Sequence, residues 1–149
     1  MGQLTKGNAP GLTVGGRVFT DLKNLIVLRA LIGAGGNLYG TARQLNASAG
    51  YQVPTGKTLR VWAVREVTSV VNQAVNIGYG DDDKGTSSAS APTNAVWQGG
   101  GVSLVLGKNS SQYGSYEYPT NFAIPAQKYP AAYTDSTGGV VVEMWGYLE

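Results

Sequence analysis

YQVPTGKTLRVWAVREV, Tyr51 to Val67, is the stretch that decides the fold class. It reads as a short extended entry, a tight turn and a long strand. Pro54, Thr55 and Gly56 carry turn chemistry: proline fixes φ, and glycine accepts a left-handed backbone. From Thr58 onward the residues alternate. Leu59, Val61, Ala63 and Val67 share one parity, and Arg60, Trp62, Val64 and Glu66 share the other. A period of two is the mark of a pleated strand, whose successive side chains leave on opposite faces. Trp62 and Val64 make the second face more apolar than a solvated sheet face needs.

The entry phrase returns in FAIPAQKYPAAY, Phe122 to Tyr133. Both copies read aromatic-x-aliphatic-Pro-small-x-Lys. In each, the aromatic and the aliphatic residue lie two apart and face the same side of an extended segment. The phrase therefore reads as scaffold: two analogous corners of one sandwich, at equivalent ends of two sheets. Gln127 stands where the first copy has Gly56, so the second turn is expected to need no positive φ. Pro130 is expected to interrupt any strand after Lys128.

Short strands separated by turns fill most of the chain from residue 38 on. LYGTARQL (38–45) is a weak strand. Val70 to Tyr79 alternates well, and Ala95–Trp97, Val102–Leu106, Phe122–Ile124 and Val140–Leu148 follow. Gly78–Asn94 reads as a long polar loop, SSQYGSYEYPTN (110–121) as a tyrosine-rich loop, and Gly99–Gly101 as a bulge or bend. DLKNLIVLRALIG (21–33) has helix-like ends, with Thr20 before it and Gly33 closing it. Its β-branched and leucine-rich interior also fits a strand buried on both faces, and the β-rich context favours strand. The count suits an all-β, jelly-roll-like sandwich in one domain, residues 21–149, with a seven-stranded sandwich as the rival. Residues 1–20 are rich in Gly, Thr and Asn. They read either as a disordered tail or as an extended N-terminal arm that docks Leu4, Leu12, Val14, Val18 and Phe19 on a neighbouring subunit.

Of the 149 residues only 13% are charged, against about 25% in ordinary domains. That favours a surface partly covered by other copies. The final strand agrees: opposite Val140, Val142, Met144 and Leu148 it shows Val141, Glu143, Trp145 and Tyr147. Trp62, Val64, Trp145 and Tyr147 thus favour a subunit interface, where aromatics are enriched and charges depleted. The alternative is cover by a helix or loop of the same chain.

The chain has no cysteine and no histidine. Thiolate metal sites, histidine-ligated zinc and the Ser-His-Asp or Cys-His nucleophile systems are excluded. GDDDKG (80–85) lacks the distal glutamate of a calcium loop and reads as a solvated turn. Neither Glu66, Glu117, Asp135 nor Glu143 is paired by spacing with a second carboxylate. No enzymatic activity, cofactor or metal is expected. The 11 basic residues are scattered, so no nucleic-acid partner is expected. No signal peptide is visible, and LIVL (25–28) is far too short to span a membrane. Tyr113, Tyr116 and Tyr118 are the candidate ligand-contact loop, since tyrosines stack on sugars or pack on protein.

YQVPTGKTLRVWAV, VNIGYGDDD and FAIPAQKYPAAYTDSTGGVVVEMWGYLE together resemble the capsid decoration (cement) proteins of tailed bacteriophages. In these a strand enters through VPxGK, a later strand ends in GYGD and the last strand ends in GYL. The resemblance covers residues 25–149 in style. It implies a jelly-roll homotrimer on the outer capsid surface of the virion, made in the host cytoplasm. It also implies a major capsid protein as partner, whose neighbouring subunits the trimer clamps. Related modules occur in phage tail and head fibres, so a receptor- or carbohydrate-binding role is the alternative.

Overall fold

A computed structural model describes residues 11–68, 74–98, 104–105, 114–135 and 138–149, and none of these is helical. The strands are β1 (Leu12–Val14), β2 (Arg17–Phe19), β3 (Ile26–Ile32), β4 (Leu38–Thr41), β5 (Leu59–Thr68) and β6 (Ala74–Gly80). They continue with β7 (Val96–Trp97), β8 (Leu104–Val105), β9 (Gly114–Ile124), β10 (Tyr129–Thr134) and β11 (Val140–Leu148). One sheet has the order β3-β11-β5-β9 and the other β4-β10-β6-β7, with β8 also on β6. Every pairing is antiparallel. From β3 to β6, and again from β9 to β11, the chain crosses between the sheets at each step. This is the wrapping of a jelly roll. The two sheets also meet at one edge, where Arg29 and Arg43 exchange backbone hydrogen bonds of 2.9 and 3.0 Å.

The core lies between the sheets. Leu28, Ala30 and Ile32 from β3, Val140, Val142 and Met144 from β11, and Leu59, Val61 and Val64 from β5 face Val75, Ile77 and Ala132. Burying side chains of this size contributes roughly 1.5–3 kcal/mol each. Segment 21–33 is strand only from Ile26. Asp21–Asn24 is a turn in which the Asp21 carboxylate accepts from the Asn24 N–H at 3.4 Å. Leu31 remains 45% exposed, so this strand is not buried on both faces.

The even alternation read along β5 is broken at Trp62. Trp145 pairs with Ala63 and Gly146 with Val61, which leaves Trp62 as an extra residue facing β11. The register with β9 shifts at the same place. A β-bulge of this kind reverses the parity of everything after it. Val64, Glu66 and Thr68 therefore point inward, and each is at most 1% exposed. Val64 is a core residue and does not share a surface with Trp62.

Further expectations are corrected. The tyrosine-rich segment is not a loop, because Gly114–Ile124 forms the long strand β9 along β5. Pro130 does not end the chain's extended path. It is the second residue of β10, and its carbonyl accepts from Ala42 N–H at 2.8 Å. Gln127 does adopt a positive φ, +64°, close to the +74° of Gly56. The two phrases are also not at separate corners. Val53 N–H donates to the Lys128 carbonyl at 2.9 Å, and Gln127 N–H donates to the Val53 carbonyl at 2.7 Å. The repeated turns clasp each other at one rim. Tyr51–Val53 is accordingly an extended segment tied to that rim and not a ladder strand.

Candidate functional site

The outer face of the β3-β11-β5-β9 sheet carries its side chains in cross-strand rows. One row is Leu31, Val141 and Val67, the next Arg29, Glu143, Arg65 and Glu117, and the next Val27, Trp145 and Ala63. Glu143 is only 3% exposed. Arg29 Nε donates to its Oε2 at 2.7 Å, and Arg65 Nε lies 2.8 Å from its Oε1. Both arginines remain about two-fifths exposed. A carboxylate taken out of water needs this double neutralisation.

The aromatic end of this face is covered by the chain's own N-terminal hairpin. β1 and β2 pair through a Gly15-Gly16 turn with φ of +59° and +77°, the two-residue hairpin turn that matches strand twist. Gly15 N–H donates to Glu117 Oε2 at 3.0 Å. A Cβ on Gly15 would stand 2.5 Å from the Tyr118 carbonyl, so the close approach needs glycine. Phe19 is 2% exposed, with its ring 5.8 Å from Trp145 and 5.9 Å from Tyr147. The Arg17 guanidinium stands 5.1 Å from the Trp62 ring centre, and its Nη2 donates to the Thr120 carbonyl at 3.3 Å.

Of the predicted interface residues, Val14, Phe19, Trp62, Trp145 and Tyr147 therefore come together in one cluster with Ala63. The alternative foreseen for this face, cover by the same chain, is what forms. Leu12 and Val18 stay on the surface, 45% and 66% exposed. Leu4 lies outside the described residues. A notch of about 350 Å³ opens between Arg17, Val18, Phe19, Trp62 and Tyr147. The sequence did carry a signal for the hairpin: LTVGGRVF places Gly-Gly between two short runs that contain strand-forming residues.

The other end of the face is uncovered. Leu31, Val67 and Val141 border an open groove of about 620 Å³, closed at the rim by Gly33, Ser87 and Gly139. Sequence reading placed Val141 on this face but did not single out Leu31, because it treated β3 as buried on both sides.

The tyrosine candidates do not form a platform. Tyr118 packs against the core, and its hydroxyl is buried. Burial, and then the nearby Glu66 carboxyl, push its pKa up. Tyr116 is half-buried beside Glu66 in the register, and Tyr113 lies outside the described residues. Glu66 itself is fully buried, and burial pushes its carboxyl up to about 8.

GDDDKG is a tie point more than a solvated turn. Asp81 pairs with Lys128 and accepts from Asn94 Nδ2 at 2.7 Å. Asp82 accepts from Thr93 N–H at 2.8 Å and meets Lys84 Nζ at 3.0 Å. Asp83 accepts from the N–H groups of Gly50 at 2.7 Å and Gly85 at 2.8 Å. All three carboxyls are held below the usual aspartate value. Lys128 and then Asn94 do this for Asp81, and the Thr93 N–H and then Lys84 do it for Asp82. For Asp83, burial pulls upward and is outweighed by the Gly50 and Gly85 donors. The motif so anchors the segment before the first repeated phrase and the lysine of the second. Among the described residues no three potential metal ligands gather in one place.

Among the described residues no helix is long and apolar enough to cross a membrane. Compared with known proteins, the chain matches no family model, no curated protein and no solved structure.

Proposed function

We propose that the chain is a structural virion protein, a homotrimeric decoration protein that binds the outside of an assembled phage capsid and clamps neighbouring subunits. The observation that carries this reading is the half-covered outer sheet. One end is closed by the hairpin. The other presents Leu31, Val141 and Val67 as an apolar row beside an open groove. Exposed contiguous apolar surface of this kind marks a contact with another protein. A protein that binds only the assembled lattice stabilises it by mass action. Attachment through several copies raises the effective concentration of each later contact.

The test is co-sedimentation of the purified protein with assembled heads, with its solution mass measured by light scattering. A trimer that sediments with heads, and a Leu31→Lys variant that stays folded but no longer does, is the expected result. A stable monomer that ignores capsids overturns the reading.

The second reading, a receptor- or carbohydrate-binding module of a phage tail or head fibre, now rests on the notch and not on the tyrosines. Arg17, Trp62 and Tyr147 line it together, a cationic and aromatic set suited to saccharides. A glycan array with wild type and Trp62→Ala separates the two, since loss of a specific glycan signal supports this reading.

A further inference from the structure

Glu66 lies on the inward face of β5 between Val64 and Thr68, and none of the three is more than 1% exposed. The bulge at Trp62 is what turns it inward. Its cross-strand neighbours are Val142 on β11 and Tyr116 on β9, and Tyr118 is one diagonal step away, opposite Val64. Both Glu66 carboxyl oxygens and the Tyr118 hydroxyl are buried without a hydrogen-bond partner among the described residues.

Apart from the buried hydroxyls of Thr68 and Thr134, the groups around this position are apolar or phenolic. β11 contributes Val140, Val142 and Met144 to the same interior, β6 contributes Val75 and Ile77, and β10 contributes Ala132. β9 contributes Tyr116 and Tyr118 as the titratable groups. The other charged residues of β5, β9 and β11 are held elsewhere: Arg65 pairs with Glu143 in the outer-face row, Glu117 accepts from Gly15 N–H in the same row, and Arg60 pairs with Glu149. Among the described residues a carboxylate ion at Glu66 thus has no cation and no N–H to replace its water, and burial without such partners disfavours the charged form.

We propose that Glu66 is a proton-operated latch inside the sandwich: neutral while the sheets are closed, and driving the β5–β9 end open when it ionises. The latch stands whether or not the protein decorates a capsid.

Its pH signature has a definite sign. Burial raises the carboxyl from 4.5 in the unfolded chain to about 8 in the folded one. Below the lower value both states hold the proton, and the contribution is fully present. Between the two values only the folded state holds it, so stability falls as pH rises. One proton corresponds to a folding constant that drops about tenfold per pH unit, levelling off above the upper value. With no histidine and no cysteine in the chain, no other side chain ordinarily titrates in this window.

The experiment is denaturant unfolding of the full chain from about pH 5 to about pH 9, for wild type and Glu66→Gln. Wild type should lose stability across the window. The variant should stay nearly level and become the more stable of the two at the alkaline end. Protection of the Tyr116 and Tyr118 amides, measured relative to their base-catalysed intrinsic exchange rates, should fall with pH in wild type alone. Parallel curves for the two proteins overturn the proposal. Infrared spectroscopy of wild type decides the matter independently if the variant does not fold. A protonated carboxyl band near neutrality that disappears at alkaline pH supports the latch, and its absence at neutrality overturns it.

Discussion

Gln127 and Gly56 hold the same left-handed backbone conformation, φ +64° and +74°, at the third position of two turns that clasp each other through Val53. Glycine holds it freely. Glutamine does so against its Cβ, which costs roughly 1–2 kcal/mol. Gln127→Gly should therefore stabilise the protein by about 0.5–1 kcal/mol, after the extra freedom glycine gives the unfolded chain. Gly56→Ala should destabilise by a similar amount. The midpoints of urea unfolding for the two variants, moving in opposite directions, provide the check.

Glu143 and its two arginines should behave as one unit. Arg29→Met or Arg65→Met leaves the buried carboxylate one cation. Removing both leaves it none, which is costly for a group 3% exposed. The double variant should lose more stability than the two singles together, with a coupling on the order of 1 kcal/mol or more. A double-mutant cycle by chemical denaturation measures it, and additive losses would contradict the ladder.

The GDDDKG ties predict the behaviour in acid. Asp81, Asp82 and Asp83 are held below their ordinary value of 3.8 in the folded state. Their contribution is present above that value and is lost as pH falls through the lowered ones. Lys128→Met should weaken the protein near neutrality, and the gap to wild type should close in strong acid. This slope is opposite in sign to that of Glu66, so stability should peak in mildly acidic solution.

Phe19 anchors the hairpin. Phe19→Ala should cost about 3 kcal/mol, the usual loss for a buried aromatic. It should also shift tryptophan emission to the red as Trp145 meets water. Removal of residues 1–20 should do the same. A truncated chain with unchanged stability and emission would show that the hairpin contributes no cover.

What could be read from the sequence follows from range. Alternation over Val140–Leu148 and Leu59–Val61 is local, and it named the strands and the sandwich correctly. The bulge at Trp62 is not local. It is the response of one strand to two neighbours, Trp145 on one side and the Pro119–Phe122 stretch on the other, so Val64 and Glu66 were assigned to the wrong face. Pro130 misled because its missing N–H matters only on the side where a ladder needs a donor. The aromatic residues of the candidate face do gather in one cluster, which Val64 does not join. The hairpin that covers them was not read from the sequence, because the Gly, Thr and Asn content of residues 1–20 pointed to a tail or an arm.

The clasp between the repeated phrases has a mechanical consequence. The first phrase leads into β5 of one sheet, and the second leads into β10 of the other. Elsewhere the sheets adhere mainly through side chains, which slide apart under tension. At this rim two backbone hydrogen bonds join the segments that feed them. A pull that separates the sheets there must break those bonds and the Asp81–Lys128 pair. The doubled phrase thus sets a load path across the sandwich.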